Sequence, residues 1–290
     1  MLFRRPRRSA LEKRGAIIGR MDGAPVALRL FRVAGFVLAA LMALRTATPA
    51  VADTRVTFPA ASHGAAGADI QGWLAKPGGA GRFPAVVLLH SCLGLPSNRR
   101  AIEASLAASG YVALFVDDFS TRGLKETCAV DFPEALPDAY GALAYLSRLP
   151  YVDPGRIAAV GFSQGADTAL RIASSGAASG FAAPDGLRFK AAAAFYPPCS
   201  NVEGERLVIP TLILVGAADS VTPAADCRRL AGDQAGEAKL VVYPSAGHCF
   251  DDPAFAGGRS VLGMTLNFDP AAARRSKQDL SDFLAEKLAR

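Results

Sequence analysis

The sequence predicts an α/β fold: a mostly parallel central sheet flanked by helices on both faces. Three observations predict it. From about residue 55 onward, short β-rich runs alternate with helix-like stretches, the pattern of parallel strands joined by helical crossovers. Some of those runs, Ala85-Val86-Val87-Leu88-Leu89 above all, are continuously apolar, as a strand buried on both faces requires. One run, at 157–161, passes through a Gly-x-Ser-x-Gly turn straight into a helical stretch.

The chain opens with a segment of a different kind. Residues 1–52 carry ten Arg/Lys against Glu12 and Asp22, a net +8, which leaves −2 of the chain's +6 for residues 53–290. A nearly neutral body argues against a nucleic-acid partner, whose phosphates need cations clustered on the folded domain. Within the leader, Arg29 and Arg32 precede an apolar run over 33–44, and Ala50-Val51-Ala52 supplies a small-x-small cleavage site before Asp53. That is an export signal, with Met1 or Met21 as its start, and it predicts a periplasmic or secreted protein. Twelve apolar residues fall short of the ~20 that span a bilayer, so no stable membrane insertion is expected beyond this segment. Arg45, between the apolar run and the cleavage site, leaves an uncleaved membrane tether as the alternative.

Residues 53–290 are expected to form one domain. The stretches 55–59 and 70–75, separated by a Gly/Ala-rich turn, form an antiparallel lead-in that ends at Pro77-Gly78-Gly79. Strand 85–89 ends at His90. A helix over 99–109 closes at Gly110, and strand 111–116 ends at Asp117-Asp118. After a loop at 119–137, residues 138–148 are helical, with Ala139, Leu143 and Leu146 on one face. Strand 157–161 and helix 166–174 follow, then strands at 191–195, 212–215 and 239–242, a helix over 223–234 before the last strand, and a final helix over 270–288.

Gly161-Phe162-Ser163-Gln164-Gly165 lies at the strand-to-helix junction. A sharp turn there lifts a serine hydroxyl clear of the sheet, and the small flanking residues leave room for the strained backbone. The positive end of the next helix and the Gln164 amide would face an oxyanion. A serine hydroxyl needs a base. His63 and His90 precede the serine, whereas His248 follows the last strand, and the Gly247 before it permits a tight loop. The orienting acid belongs at a strand end between the two, where Asp219 follows 212–215. Asp226 on the next helix competes for that role, and Asp219 would otherwise be a helix cap. The second oxyanion donor is assigned to the Cys92 amide, in the loop after strand 85–89. His90 lines the site or caps its strand.

These residues together resemble the dienelactone hydrolase family of the α/β-hydrolase fold. The carriers are His90 to Leu95 with Gly94-Leu95, the elbow 161–165, Gly216-Ala217-Ala218-Asp219 with Val221-Thr222-Pro223, and His248-Cys249-Phe250. The resemblance implies an ester hydrolase that needs no cofactor or metal and takes a small-molecule ester. It departs at two points: the family's founding members have a cysteine where this chain has Ser163, and a glutamate where it has Ser91. A serine nucleophile and a general carboxylic-ester substrate are therefore expected, with lactones as a narrower option. Acyl transfer to an acceptor other than water, peptide cleavage, and a non-catalytic binding role are the alternatives on the same fold.

Two further expectations concern the loops. Arg122 and Lys125, after the fourth strand, would meet an anionic substrate or else sit on a solvated surface. Of the five cysteines, none has C-x-x-C spacing, which argues against a zinc or thioredoxin-like site. Spacing alone does not fix the pairing; Cys128 and Cys199 both fall in loops at the strand C-terminal side, where a disulfide between them would brace the rim of the site.

Overall fold

A computed structural model of the protein describes residues 53–289 apart from 62–67, 131, 133–134, 176–185, 233 and 235–236. The leader with its cleavage site, and His63, lie outside the described residues. Among the described residues the main sheet has eight strands: β1 (Thr54–Pro59), β2 (Asp69–Ala75), β3 (Phe83–Leu89), β4 (Val112–Asp117), β5 (Val152–Phe162), β6 (Ala191–Phe195), β7 (Thr211–Gly216) and β8 (Ala238–Tyr243). Their spatial order is β1-β2-β4-β3-β5-β6-β7-β8. The β1–β2 and β2–β4 pairings are antiparallel, and every pairing from β4 to β8 is parallel. The lead-in and the parallel body are thus as the sequence predicts.

Helices α1 (Arg99–Ala108), α2 (Ala135–Ser147), α3 (Gln164–Ala173), α4 (Ala224–Gly232) and α5 (Pro270–Lys287) cover both faces. The two-residue period of the strands divides the core accordingly. Val86, Leu88, Phe115, Val160 and Phe195 point to the side of α1 and α5, where Leu106, Phe283 and Leu284 meet them. Val87, Leu89, Leu114 and Ala159 point to the other side, against Leu143 and Leu146 of α2 and Ile172 of α3. Ile213 and Val215 of β7 pack with Cys227 and Leu230 of α4. No helix of the described residues is long and apolar enough to cross a membrane.

Three local features depart from expectation. Strand β5 begins at Val152 rather than at 157. Helix α2 starts at Ala135 rather than at 138, because Pro137 falls in its first turn, where a missing N–H breaks no helical bond. The segment 251–269 contains a small hairpin, β9 (Arg259–Val261) with β10 (Met264–Leu266). Its turn residues Leu262 and Gly263 have φ of 51° and 82°. A leucine at the first turn position, where Asn, Asp or Gly is usual, hides this hairpin in the sequence.

The order β4-β3-β5 places the point where the strand order reverses, β4 lying to one side of β3 and β5 to the other, at β3 and β5. A crevice opens at the carboxyl ends of the strands at such a point. The loop after β3 and the turn after β5 both lead into it.

Candidate active site

The turn after β5 begins the site. Ser163 has φ 52° and ψ −112°, and Gln164 is the first residue of α3. A side chain at Gly161 would collide with the carbonyl of Gly165, and one at Gly165 with the carbonyls of Leu89 and His90. The two glycines therefore let the turn close and let α3 pack on the end of β3. The Ser163 N–H donates to Phe195 O on β6 at 3.0 Å, which ties the turn to its neighbouring strand.

Asp219 follows β7 and is buried, as is His248 after β8. Their loops are joined directly, the Ala218 N–H donating to Ala246 O at 2.9 Å. His248 Nδ1 lies 2.8 Å from Asp219 Oδ2, and His248 Nε2 lies 2.9 Å from Ser163 Oγ. A proton on Nδ1, held by the carboxylate, leaves Nε2 as an acceptor for the serine hydroxyl. The carboxylate is itself held: Oδ1 accepts from the N–H groups of Val221 and Thr222 at 2.8 and 2.9 Å, and Oδ2 from the Thr222 hydroxyl at 2.9 Å. Burial pushes the Asp219 carboxyl up, but the bonds from His248 and Thr222 outweigh it and hold Asp219 below its ordinary range. Asp226 stands on α4, paired with Arg229 at 2.8 Å.

The two amides assigned to oxyanion binding have no protein acceptor among the described residues: Cys92 in the turn after β3, and Gln164 at the start of α3. Beneath the turn, buried His90 has Nδ1 2.8 Å from Ser91 O. Its Nε2 is 2.6 Å from Asp118 Oδ1, an ion-pair contact short of hydrogen-bond alignment. Burial opposes charge on this ring, yet Asp118 prevails and raises His90 above its ordinary value. Arg122 grips Asp138 with both terminal nitrogens, at 2.8 and 3.0 Å, and donates to Asp118 O at 2.6 Å. Lys125 is exposed, its carbonyl beside Gly94.

The cysteines correct one expectation. Cys128 is bonded to Cys92, and Cys199 to Cys227, with Cα separations of 4.8 and 5.0 Å; there is no Cys128–Cys199 bridge. Strand order explains it. Cys128 follows β4 and Cys199 follows β6, and β3 and β5 lie between those strands. Three strand spacings of ~4.8 Å far exceed the ~7 Å limit for a bridge. Cys128 instead meets the loop after neighbouring β3, and Cys199 meets helix α4 after neighbouring β7. Cys249 is free and buried.

Sequence reasoning gave no role to Thr222, Tyr196 or Thr127. Thr222 lies three residues after Asp219, but its bond to Asp219 depends on how the turn folds. The Tyr196 ring stands edge-on to His248, centroids 4.7 Å apart, and its hydroxyl donates to Asp251 at 2.8 Å. A cavity of about 210 Å³ opens beside Tyr196 and Asp251, walled also by Leu93, Ile102, Phe162, Phe255 and Arg259 among others.

Fold and site together define the class: the protein is an α/β hydrolase, of the kind that acts on ester bonds. The profile of the dienelactone hydrolase family matches residues 70–288, and the chain belongs to that family. Among curated proteins it is 28% identical over 111 residues to a Synechocystis protein provisionally named carboxymethylenebutenolidase, a match spanning 33% of this chain and 45% of that relative. It is 29% identical over 216 residues to an uncharacterized Mycobacterium tuberculosis protein, covering 70% of this chain and 75% of that one. Among solved structures it resembles a dienelactone hydrolase-like promiscuous phosphotriesterase from metagenomic libraries, with TM-score 0.64 and 21% identity over 82% of this chain and 100% of that one. It also resembles a thermophilic esterase of Thermogutta terrifontis, with TM-score 0.57 and 17% identity over 83% and 95% of the respective chains.

Proposed function

We propose that the protein is an exported serine esterase that cleaves small carboxylic esters, lactones included, through an acyl-enzyme on Ser163. The observation that carries this is the unbroken relay from Ser163 Oγ through His248 to Asp219, at 2.9 and 2.8 Å. Ser163 Oγ attacks the ester carbonyl as His248 Nε2 takes its proton, and Asp219 steadies the imidazolium. The Cys92 and Gln164 amides bind the oxygen as it gains charge. His248 then returns the proton to the leaving alcohol. Water, activated by the same imidazole, releases the acid. The chain's own groups complete this cycle with no cofactor.

Of the three residues placed on the substrate side, Lys125 is the exposed cation, while Arg122 is committed to Asp138 and His90 to Asp118. Two disulfides fit folding in an oxidising compartment. That supports export, through a leader cleaved after Ala52, to the periplasm or beyond.

The test is fluorophosphonate labelling of the purified protein beside Ser163→Ala and His248→Ala, followed by a panel of short-chain esters. Labelling that requires Ser163, is slowed without His248 and accompanies ester turnover is expected. A folded protein that neither labels nor turns over any ester would end this reading. N-terminal sequencing of protein recovered outside the cytoplasm should begin at Asp53.

A further inference from the structure

We propose that Thr127 and Cys128 are positioning residues: a two-residue clamp, given by the loop after β4, that sets the separation of the Cys92 and Gln164 peptides. The proposal rests on the reading of those amides as the oxyanion site. Thr127 is buried. Its N–H donates to Cys92 O at 2.9 Å and its hydroxyl to Gln164 Oε1 at 2.7 Å, while Gln164 Nε2 reaches back to Thr127 O at 3.5 Å. The next residue, Cys128, is covalently joined to Cys92. Two consecutive residues therefore bond to both residues whose amides stand open.

The need for such a clamp follows from where the two amides come from. Gln164 is placed by the elbow and by the packing of Gly165 on the end of β3. The Cys92 turn is shaped internally, Ser91 O accepting from Gly94 N–H at 3.0 Å and facing His90 Nδ1 at 2.8 Å, and the Leu93 N–H meeting Ser91 Oγ at 3.2 Å. Those bonds set the shape of the turn and leave its distance from α3 open. The clamp closes that gap. Donors must stand ~2.7–3.1 Å from an oxygen whose charge develops only in the transition state, so loosening one should lower kcat and leave KM little changed.

The test compares kcat and KM on one short-chain ester for wild type, Thr127→Val, Thr127→Ser and Cys128→Ser, with thermal unfolding to establish that each is folded. Thr127→Val keeps the side chain's shape and removes its hydroxyl. It should lose about tenfold in kcat with KM within about twofold, less than the ~10²–10³ that follows outright removal of a donor. Thr127→Ser should restore the rate, and Cys128→Ser should lose kcat as Thr127→Val does. Cys227→Ser, which opens the other disulfide, should lose stability and keep its kcat. Folded Thr127→Val and Cys128→Ser proteins with wild-type kcat, or with the loss confined to KM, would overturn the clamp. A Ser163→Ala protein that still turned the ester over would instead overturn the nucleophile reading on which the clamp rests.

Discussion

At Ser163 the backbone holds a positive φ of 52°, a conformation that costs a non-glycine residue ~1–3 kcal/mol. The surrounding bonds impose it. Ser163→Ala and Ser163→Gly both remove the hydroxyl, so both should lose turnover by several orders of magnitude. The glycine variant should be the more stable of the two by about 1 kcal/mol, as urea denaturation would measure. Asp219 offers a test by pH. Its folded carboxyl is held below the ordinary value, so its contribution is present above that value and lost as pH falls through the depressed one. Thr222→Val removes one of the bonds responsible and should move acid unfolding to higher pH. Asp251 behaves in the opposite sense. Burial, moderated by the Tyr196 hydroxyl and reinforced by Asp252, raises it to about 6. Its stabilising protonated form is complete below about 4 and lost as pH rises through 6. Asp251→Asn should therefore raise Tm at pH 8, with the gain fading by pH 4. An equal gain at both would refute the assignment.

At the scale of elements, α1 is held to the lead-in strands by one arginine. Arg99 is buried; it grips Asp53 at 2.7 and 2.9 Å and Glu103 at 2.6 and 2.7 Å, and its guanidinium lies 4.2 Å from the centre of the Trp73 ring. Removing it leaves the buried Glu103 without its partner, so Arg99→Met should cost about 3–5 kcal/mol in urea denaturation. Arg99→Met with Glu103→Leu should recover most of it, since no charge is then stranded. Neither Arg99 nor Glu103 stands out in the sequence as more than a surface pair one helical turn apart. The strands themselves were legible, 191–195 to the residue, because an apolar run in a parallel sheet must be buried on both faces wherever it lies. The hairpin at 259–266 was not, because its turn departs from common hairpin chemistry and its strands are three residues each.

At the scale of the whole molecule, the disulfides join segments that follow neighbouring strands: the loops after β3 and β4, and the loop after β6 with helix α4 after β7. They close segments of 36 and 28 residues, each contributing ~3–4 kcal/mol on a chain-entropy account. Reduction should lower the urea midpoint markedly. Peptide mapping without reductant should return Cys92 with Cys128 and Cys199 with Cys227. Cys249 is free and its thiol is raised far above the ordinary value by burial and by the nearby Asp251, so alkylation should find no thiol in the native protein and one after unfolding. Recovery of a Cys128–Cys199 peptide would contradict the strand order itself.

The sequence alone determined what is local: the alternation of strands and helices, the Gly-Ser-Gly elbow, and the order Ser163, Asp219, His248 along the chain. Each is written within a few neighbouring residues, as an apolar run, a glycine spacing or a residue at a strand end. The tertiary structure decided which loops are neighbours. Because β4 sits beside β3, with two strands between it and β6, Cys128 reaches Cys92 and not Cys199; the fold also brings Thr127 to Gln164 and Arg122 to Asp138. Strand order is set by how the crossovers pack on the sheet, a long-range balance that no short stretch of the chain records.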